Sequence, residues 1–139
     1  MTASAKDWIE KADADLDGVR RSLLPDPDVN EEVAAYHIQQ AAEKLLKAAL
    51  VHVGVAYPRG SGGHDLQACA NRLPASFPLL SFARDLVPFS PWGTAFRYPD
   101  DDPATVAPLP NKAELESARV RTEKFRDQLV ALIGMNTSP

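Results

Sequence analysis

Twelve prolines punctuate this chain of 139 residues, and the longest run free of them lies between Pro27 and Pro58. Proline interrupts helix interiors, so that run has room for a long unbroken helix. Its sequence from Asp28 to Val55 is DVNEEVAAYHIQQAAEKLLKAALVHVGV. Asp28 followed by Glu31 fits a capping box, and Gly54 suits the left-handed turn that ends a helix. Ala34, Ile38, Ala41, Leu45, Ala48 and His52 recur at alternating steps of four and three, which makes one helical stripe. Val33, Leu46, Ala49, Leu50 and Val53 widen it onto a second face. A helix apolar on more than one face has neighbours on more than one side. The run therefore predicts the central helix of an all-helical domain, with alanines that let other helices come close.

The opposite face is polar. His37, Gln40, Lys44 and Lys47 repeat at three and four, and Glu43 stands one turn before Lys47. One reading is a solvated face with a single ion pair worth about 0.2–0.5 kcal/mol. The other is a strip that meets a phosphate or a partner subunit. His37 is close to this strip, while His52 falls on the core stripe.

The rest of the chain supplies the neighbours. Ser4 to Leu24 reads as a helix, with Ser4 and Asp7 as its cap, the stripe Ile9, Ala12, Leu16, Val19 and Leu23, and Trp8 anchoring its first turn. Asp13, Asp15 and Asp17 point in different directions on a helix, so they predict solubility and no metal site. Pro25-Asp26-Pro27 turns the chain, and the short connection predicts antiparallel neighbours. Tyr57 to Gly63 (YPRGSGG) lacks the lysine and Ser/Thr of a phosphate loop and reads as a mobile connection. His64–Leu73 and Pro78–Val87 read as short helices, broken by Pro74, Pro88 and Pro91. Trp92 to Arg97 reads as one more turn, with Trp92 and Phe96 inward. Tyr98 to Pro110 is an extended, acidic, proline-rich connection with little apolar surface. Asn111 and Glu114 cap a last helix carrying Leu115, Ala118, Thr122, Phe125, Leu129 and Leu132. Gly134 ends it, and residues 134–139 read as a frayed tail. There is neither an internal repeat nor strand-like alternation. The expectation is an all-α, up-and-down bundle of about five helices in one domain, residues 1–139.

Composition narrows the function. The formal net charge is −4, so no global positive field draws nucleic acid, and any such site is a local patch. The single cysteine excludes an intrachain disulfide and a multi-cysteine zinc site. Cys69 lies on the stripe Leu66, Cys69, Leu73 and reads as a small buried hydrophobe. No apolar run reaches the roughly 18 residues of a membrane span. The sequence points to a cytoplasmic protein, with no cofactor and no membrane partner implied.

The segment HIQQAAEKLLKAAL (residues 37–50), followed by His64-Asp65-Leu66 and then Arg97-Tyr98-Pro99, resembles the HEPN domain family of prokaryotes. The resemblance runs from about Trp8 to Leu132, and the Gln-Gln-Ala-Ala-Glu-Lys segment is its most specific part. It implies a compact helical domain, usually a homodimer. It also implies links to nucleotide binding, RNA cleavage and toxin–antitoxin pairs with small nucleotidyltransferases.

HEPN ribonucleases carry an arginine followed a few residues later by a histidine at the start of a late helix. There the histidine moves a proton from a ribose 2′-hydroxyl and the arginine stabilises the phosphorane charge. This chain has one literal match to that spacing, Arg59 and His64, but it lies in the loop after the central helix. Arg119, Arg121 and Arg126 on the last helix have no histidine after them. Arg97-Tyr98-Pro99-Asp100 suits phosphate contact and base stacking, or Arg97 pairs with Glu43 or a nearby aspartate. The sequence thus leans away from catalysis. It points to a module binding a nucleotide, an RNA or a nucleotidyltransferase partner through His37, Gln40, Lys44, Lys47, His64, Arg97 and Tyr98. A metal-independent ribonuclease toxin using Arg59 and His64, and a purely structural dimerisation module, stand as alternatives.

Overall fold

The computed structural model describes residues 3–24, 29–60, 65–93 and 109–134. Among these residues there are helices and no strand, as the proline-free runs predict. The elements are α1 (Ala5–Ser22), α2 (Glu31–His52), α3 (Leu66–Asn71), α4 (Leu80–Arg84), a 3-10 turn over Val87–Gly93, and α5 (Lys112–Ile133).

α1 begins with the cap its sequence predicts. Asp7 N–H donates to Ser4 Oγ at 3.1 Å, and Ser4 N–H donates to the Asp7 carboxylate at 2.9 Å. The bond from the Ser4 backbone is the main reason the Asp7 carboxyl titrates below its ordinary range. Ile9, Ala12, Leu16, Val19 and Leu23 are all buried. Asn30 N–H donates to Ser22 C=O at 2.7 Å and closes the turn into α2. The two helices run antiparallel, with Trp8 near Lys47 at one end and Gly18 against His37 at the other.

α2 starts later than its sequence suggests. Asp28 lies outside the described residues, and the cap is Asn30, whose side chain accepts from Val33 N–H at 3.1 Å. The third helical position then falls on Val33, which cannot complete a box. Gly54 follows the helix at φ +76°, the left-handed conformation expected there. Ala34, Ile38, Ala41, Leu45, Leu46, Ala48, Ala49 and Leu50 are fully buried. His52 is exposed rather than in the core, and Val33 is also exposed. Both sit in the terminal turns of α2, where the apolar period runs past the packed part of the helix.

α5 closes the bundle. The Asn111–Glu114 capping box forms in both directions. Leu115, Ala118, Thr122, Phe125 and Leu129 are buried, but Leu132 in the last turn is exposed. The middle of the chain is less regular than predicted. α3 is shorter than His64–Leu73 and is capped by Asp65, which accepts from Gln67 N–H at 2.9 Å. α4 spans only five residues, and the 3-10 turn passes through Pro88 and Pro91 instead of stopping at them. Proline's fixed φ lies within the 3-10 range, so a short 3-10 piece accommodates residues that an α-helix rejects. Leu66, Cys69, Leu73, Phe77, Leu79, Ala83, Leu86 and Phe89 from this stretch join the core under α2 and α5. Trp92 stacks on Phe89 with centroids 4.9 Å apart. Phe96, residues 98–108 of the acidic connection and the tail from 135 lie outside the described residues. Among the described residues no helix is long and apolar enough to cross a membrane.

Candidate functional site

The polar face of α2 is not a solvated strip. Gln39, Glu43 and Lys47 form a buried row at 1%, 4% and 8% exposure. Gln39 Nε2 donates to Glu43 Oε1 at 3.3 Å, and Lys47 Nζ donates to Glu43 Oε2 at 3.0 Å. The Lys47 ammonium lies 5.3 Å from the Trp8 ring centroid and 5.4 Å from that of Tyr57. Those two rings meet edge to face at 5.5 Å. Cation–π attraction of this kind strengthens as water is excluded. The predicted Glu43–Lys47 pair therefore exists, but under an aromatic roof. Taking an ion pair out of water is costly, so such a pair is weak evidence of a purely stabilising role. The Trp8 indole N–H beside it is buried with no acceptor among the described residues.

A second cluster joins α1 to α2. Asp15, predicted to face solvent, is 8% exposed. Its carboxylate meets His37 Nδ1 at 2.9 Å and Lys44 Nζ at 2.5 Å. A ring nitrogen facing a carboxylate oxygen carries the proton, which leaves Nε2 as the other, distinct position of the imidazole. Gly18 lets the ring sit there, because a Cβ at that position would lie 2.9 Å from His37 Cδ2. Asp15 flanks the apolar stripe of α1, and what buries it comes from another helix.

The four strip residues thus face different neighbours. His37 and Lys44 turn to Asp15 in the middle of α1, and Lys47 turns to Trp8 in its first turn and to Tyr57. Gln40, half-buried, donates to Gln39 Oε1 at 2.7 Å and so joins the buried row. Gly93 presses on the same face, since a Cβ on it would sit 2.7 Å from Gln39 Oε1. The chain leaves the described residues there, before Arg97 and Tyr98. His64, Arg97 and Tyr98 lie outside the described residues. Arg59 is described and exposed, with its guanidinium 5.4 Å from the Tyr57 ring centroid. Trp8, Asp15, Gln39 and Tyr57 are the members that sequence spacing did not single out. The signals available were the early placement of Trp8 and, for Gln39, its place in the Gln-Gln-Ala-Ala-Glu-Lys segment that carries the family resemblance.

The arginines of α5 are mostly engaged. Arg119 holds Glu116 at 2.8 Å and Glu123 at 2.6 Å, and Arg126 forks onto Asp13 at 2.9 and 3.0 Å. Those bonds, to Glu116 and to Asp13 foremost, raise both guanidinium pKa values further. Cys69 is buried, and desolvation pushes its thiol up to about 11, so it stays a neutral core group. No cluster of three His, Cys, Asp or Glu able to hold a metal exists among the described residues.

The arrangement is that of a small helical domain built round one helix with a buried polar row. Residues 5–131 match the family model described as the HEPN domain, and the chain belongs to that family. No curated protein and no solved structure matches the chain.

Proposed function

We propose that this HEPN domain is a binding module without ribonuclease chemistry of its own. The observation that carries this reading is the placement of its histidines. All three, His37, His52 and His64, precede α5, so Arg119, Arg121 and Arg126 have no following histidine to move a proton. Arg119 and Arg126 are also held by carboxylates, which competes with contact to a phosphorane.

The ligand face is that of α2. His37, Gln40 and Lys44 are its half-buried, reachable members. Lys47 backs them, and His64, Arg97 and Tyr98 complete the set by sequence. Its ligand is a nucleotide or a short RNA, with an associated nucleotidyltransferase in a toxin–antitoxin-like pair as the protein partner and a homodimer as the assembly. A buried polar row supports the reading, because a face serving packing alone is served as well by apolar side chains.

The test is thermal unfolding with AMP, ATP and a short RNA, on the native sequence and on Arg97→Ala and Lys44→Ala. Lys44→Ala also loses the Asp15 contact and starts from a lower Tm, so the ligand-dependent increment is the quantity read. Ligand at a hundredfold excess over Kd stabilises by about 2.7 kcal/mol. An increment in the native protein that both variants lose supports the reading. No increment with any of these ligands removes the nucleic-acid part of it.

A further inference from the structure

Asp15 reaches from α1 to two groups of α2 at once. One carboxylate oxygen meets His37 Nδ1 at 2.9 Å, and the other meets Lys44 Nζ at 2.5 Å. The Asp15 side chain is 10% exposed, against 29% for His37 and 22% for Lys44. The carboxylate is therefore covered, while the imidazole and the ammonium stay reachable. Gly18 packs over the ring. A Cβ there would lie 2.9, 3.0 and 3.1 Å from Cδ2, Nε2 and Cγ. Near-equal distances to three consecutive ring atoms place that point over the face of the ring and not at its Nε2 edge. Nε2 makes no hydrogen bond among the described residues. With the Nδ1 proton turned to the carboxylate, Nε2 holds the lone pair and is an acceptor. The ammonium has three donors, and Asp15 takes one.

We infer that His37 Nε2 accepts a hydrogen bond from a ribose hydroxyl of the ligand, with Asp15 as the positioning residue that holds it ready. This rests on the reading of the α2 face as a nucleotide site and names the atom that selects the sugar. The imidazole and the ammonium hang on the two oxygens of one carboxylate, so acceptor and cation stand side by side. A ligand that uses both carries a neutral donor close to an anionic group. In an anti 5′-nucleotide the ribose hydroxyls stand nearer the phosphate than any base amine does. The phosphate then meets Lys44, which shares a face of α2 with His37. A sugar without hydroxyls leaves the half-buried acceptor unanswered, which is how a polar site rejects an analogue. Asp15 does not touch the ligand. It acts through Nδ1, by fixing the tautomer and orientation of the ring.

The experiment is titration calorimetry with three ligands: AMP, 2′,3′-dideoxy-AMP and IMP. Each is titrated into the native chain, His37→Phe and Asp15→Ala, with circular dichroism to check that the variants stay folded. His37→Phe keeps a ring over Gly18 and removes Nε2. Asp15→Ala keeps the imidazole and removes its anchor. The expected result is that AMP and IMP bind alike and dideoxy-AMP binds about tenfold more weakly or worse. In both variants the ratio of the dideoxy-AMP and AMP Kd values falls close to one. A merely structural Asp15 changes all three affinities in step and leaves the ratio intact, which overturns its positioning role. Nitrogen-15 NMR of the native chain in alkaline buffer, without ligand, reads the tautomer directly. Its His37 signal is the one missing in His37→Phe. A proton on Nδ1 is expected, and a proton on Nε2 overturns the inference. Native binding of AMP with a ratio close to one also overturns it, yet leaves the nucleotide reading of the α2 face standing. Binding that is lost with IMP instead moves the donor to the base and overturns it likewise. No binding of any of the three removes the nucleotide reading and this inference with it.

Discussion

The two flanks of α5 are made of similar residues and end in opposite states. Against α1 there is a cleft of about 420 Å³ lined by Asp13, Leu16, Arg20, Glu123, Arg126 and Asp127. Its charges answer one another. Arg126 forks onto Asp13, Arg20 pairs with Glu123, and Arg119 bridges Glu123 and Glu116. Against α4 and the 3-10 turn the hollows are no smaller, yet Arg121 and Lys124 form no ion pair among the described residues, although Asp85, Glu114 and Glu116 share the lining, and Lys124 Nζ lies 5.6 Å from the Phe82 centroid. Volume does not separate the two. The difference is whether the polar groups at the surface already have partners, and a cleft that answers its own charges has little left to offer a ligand. The α2 face lies between these cases. Its charges are paired, but in a buried row that packing does not require.

Substitutions can break or sharpen this contrast. The largest effect is expected at Phe125, which is fully buried in the helix that carries both flanks. Phe125→Ala should cost about 3–5 kcal/mol in urea unfolding. Asp15→Ala leaves His37 and Lys44 without their shared carboxylate and should cost about 1–3 kcal/mol. Arg126→Ala removes a forked pair whose partners are 25% and 41% exposed, so screening limits the loss to about 0.5–1 kcal/mol. That loss should shrink further in high salt. Arg121→Ala should change stability by less than about 0.5 kcal/mol. Equal costs at Arg121 and Arg126 would erase the distinction between the flanks.

The parts of the fold legible in the sequence are those set by neighbouring residues. Ser4 with Asp7 and Asn111 with Glu114 fixed two helix starts, because a capping box needs nothing from outside its own turn. The stripes of α1, α2 and α5 were legible by period. The failures share a cause. Asp28 and Asn30 are both good caps two residues apart, and local chemistry does not choose between them. His52, Val33 and Leu132 keep the period where the packing has ended. Asp15 reads as solvated from α1 alone, since His37 and Lys44 arrive from another helix. The candidate site follows the same rule. His37, Gln40, Lys44 and Lys47 were legible as one face of α2. Their division among Asp15, Trp8, Tyr57 and Gln39 was not, because it depends on which helices pack beside that face.

The central claim is that this HEPN domain binds without cutting. Its most direct test is a time course of labelled single-stranded RNA with the purified protein in EDTA, run beside His64→Ala. The expected result is RNA that stays full-length with both proteins. Cleavage by the native protein that His64→Ala abolishes, in a variant that still folds, would contradict the account and make the Arg59–His64 pair a working catalytic site.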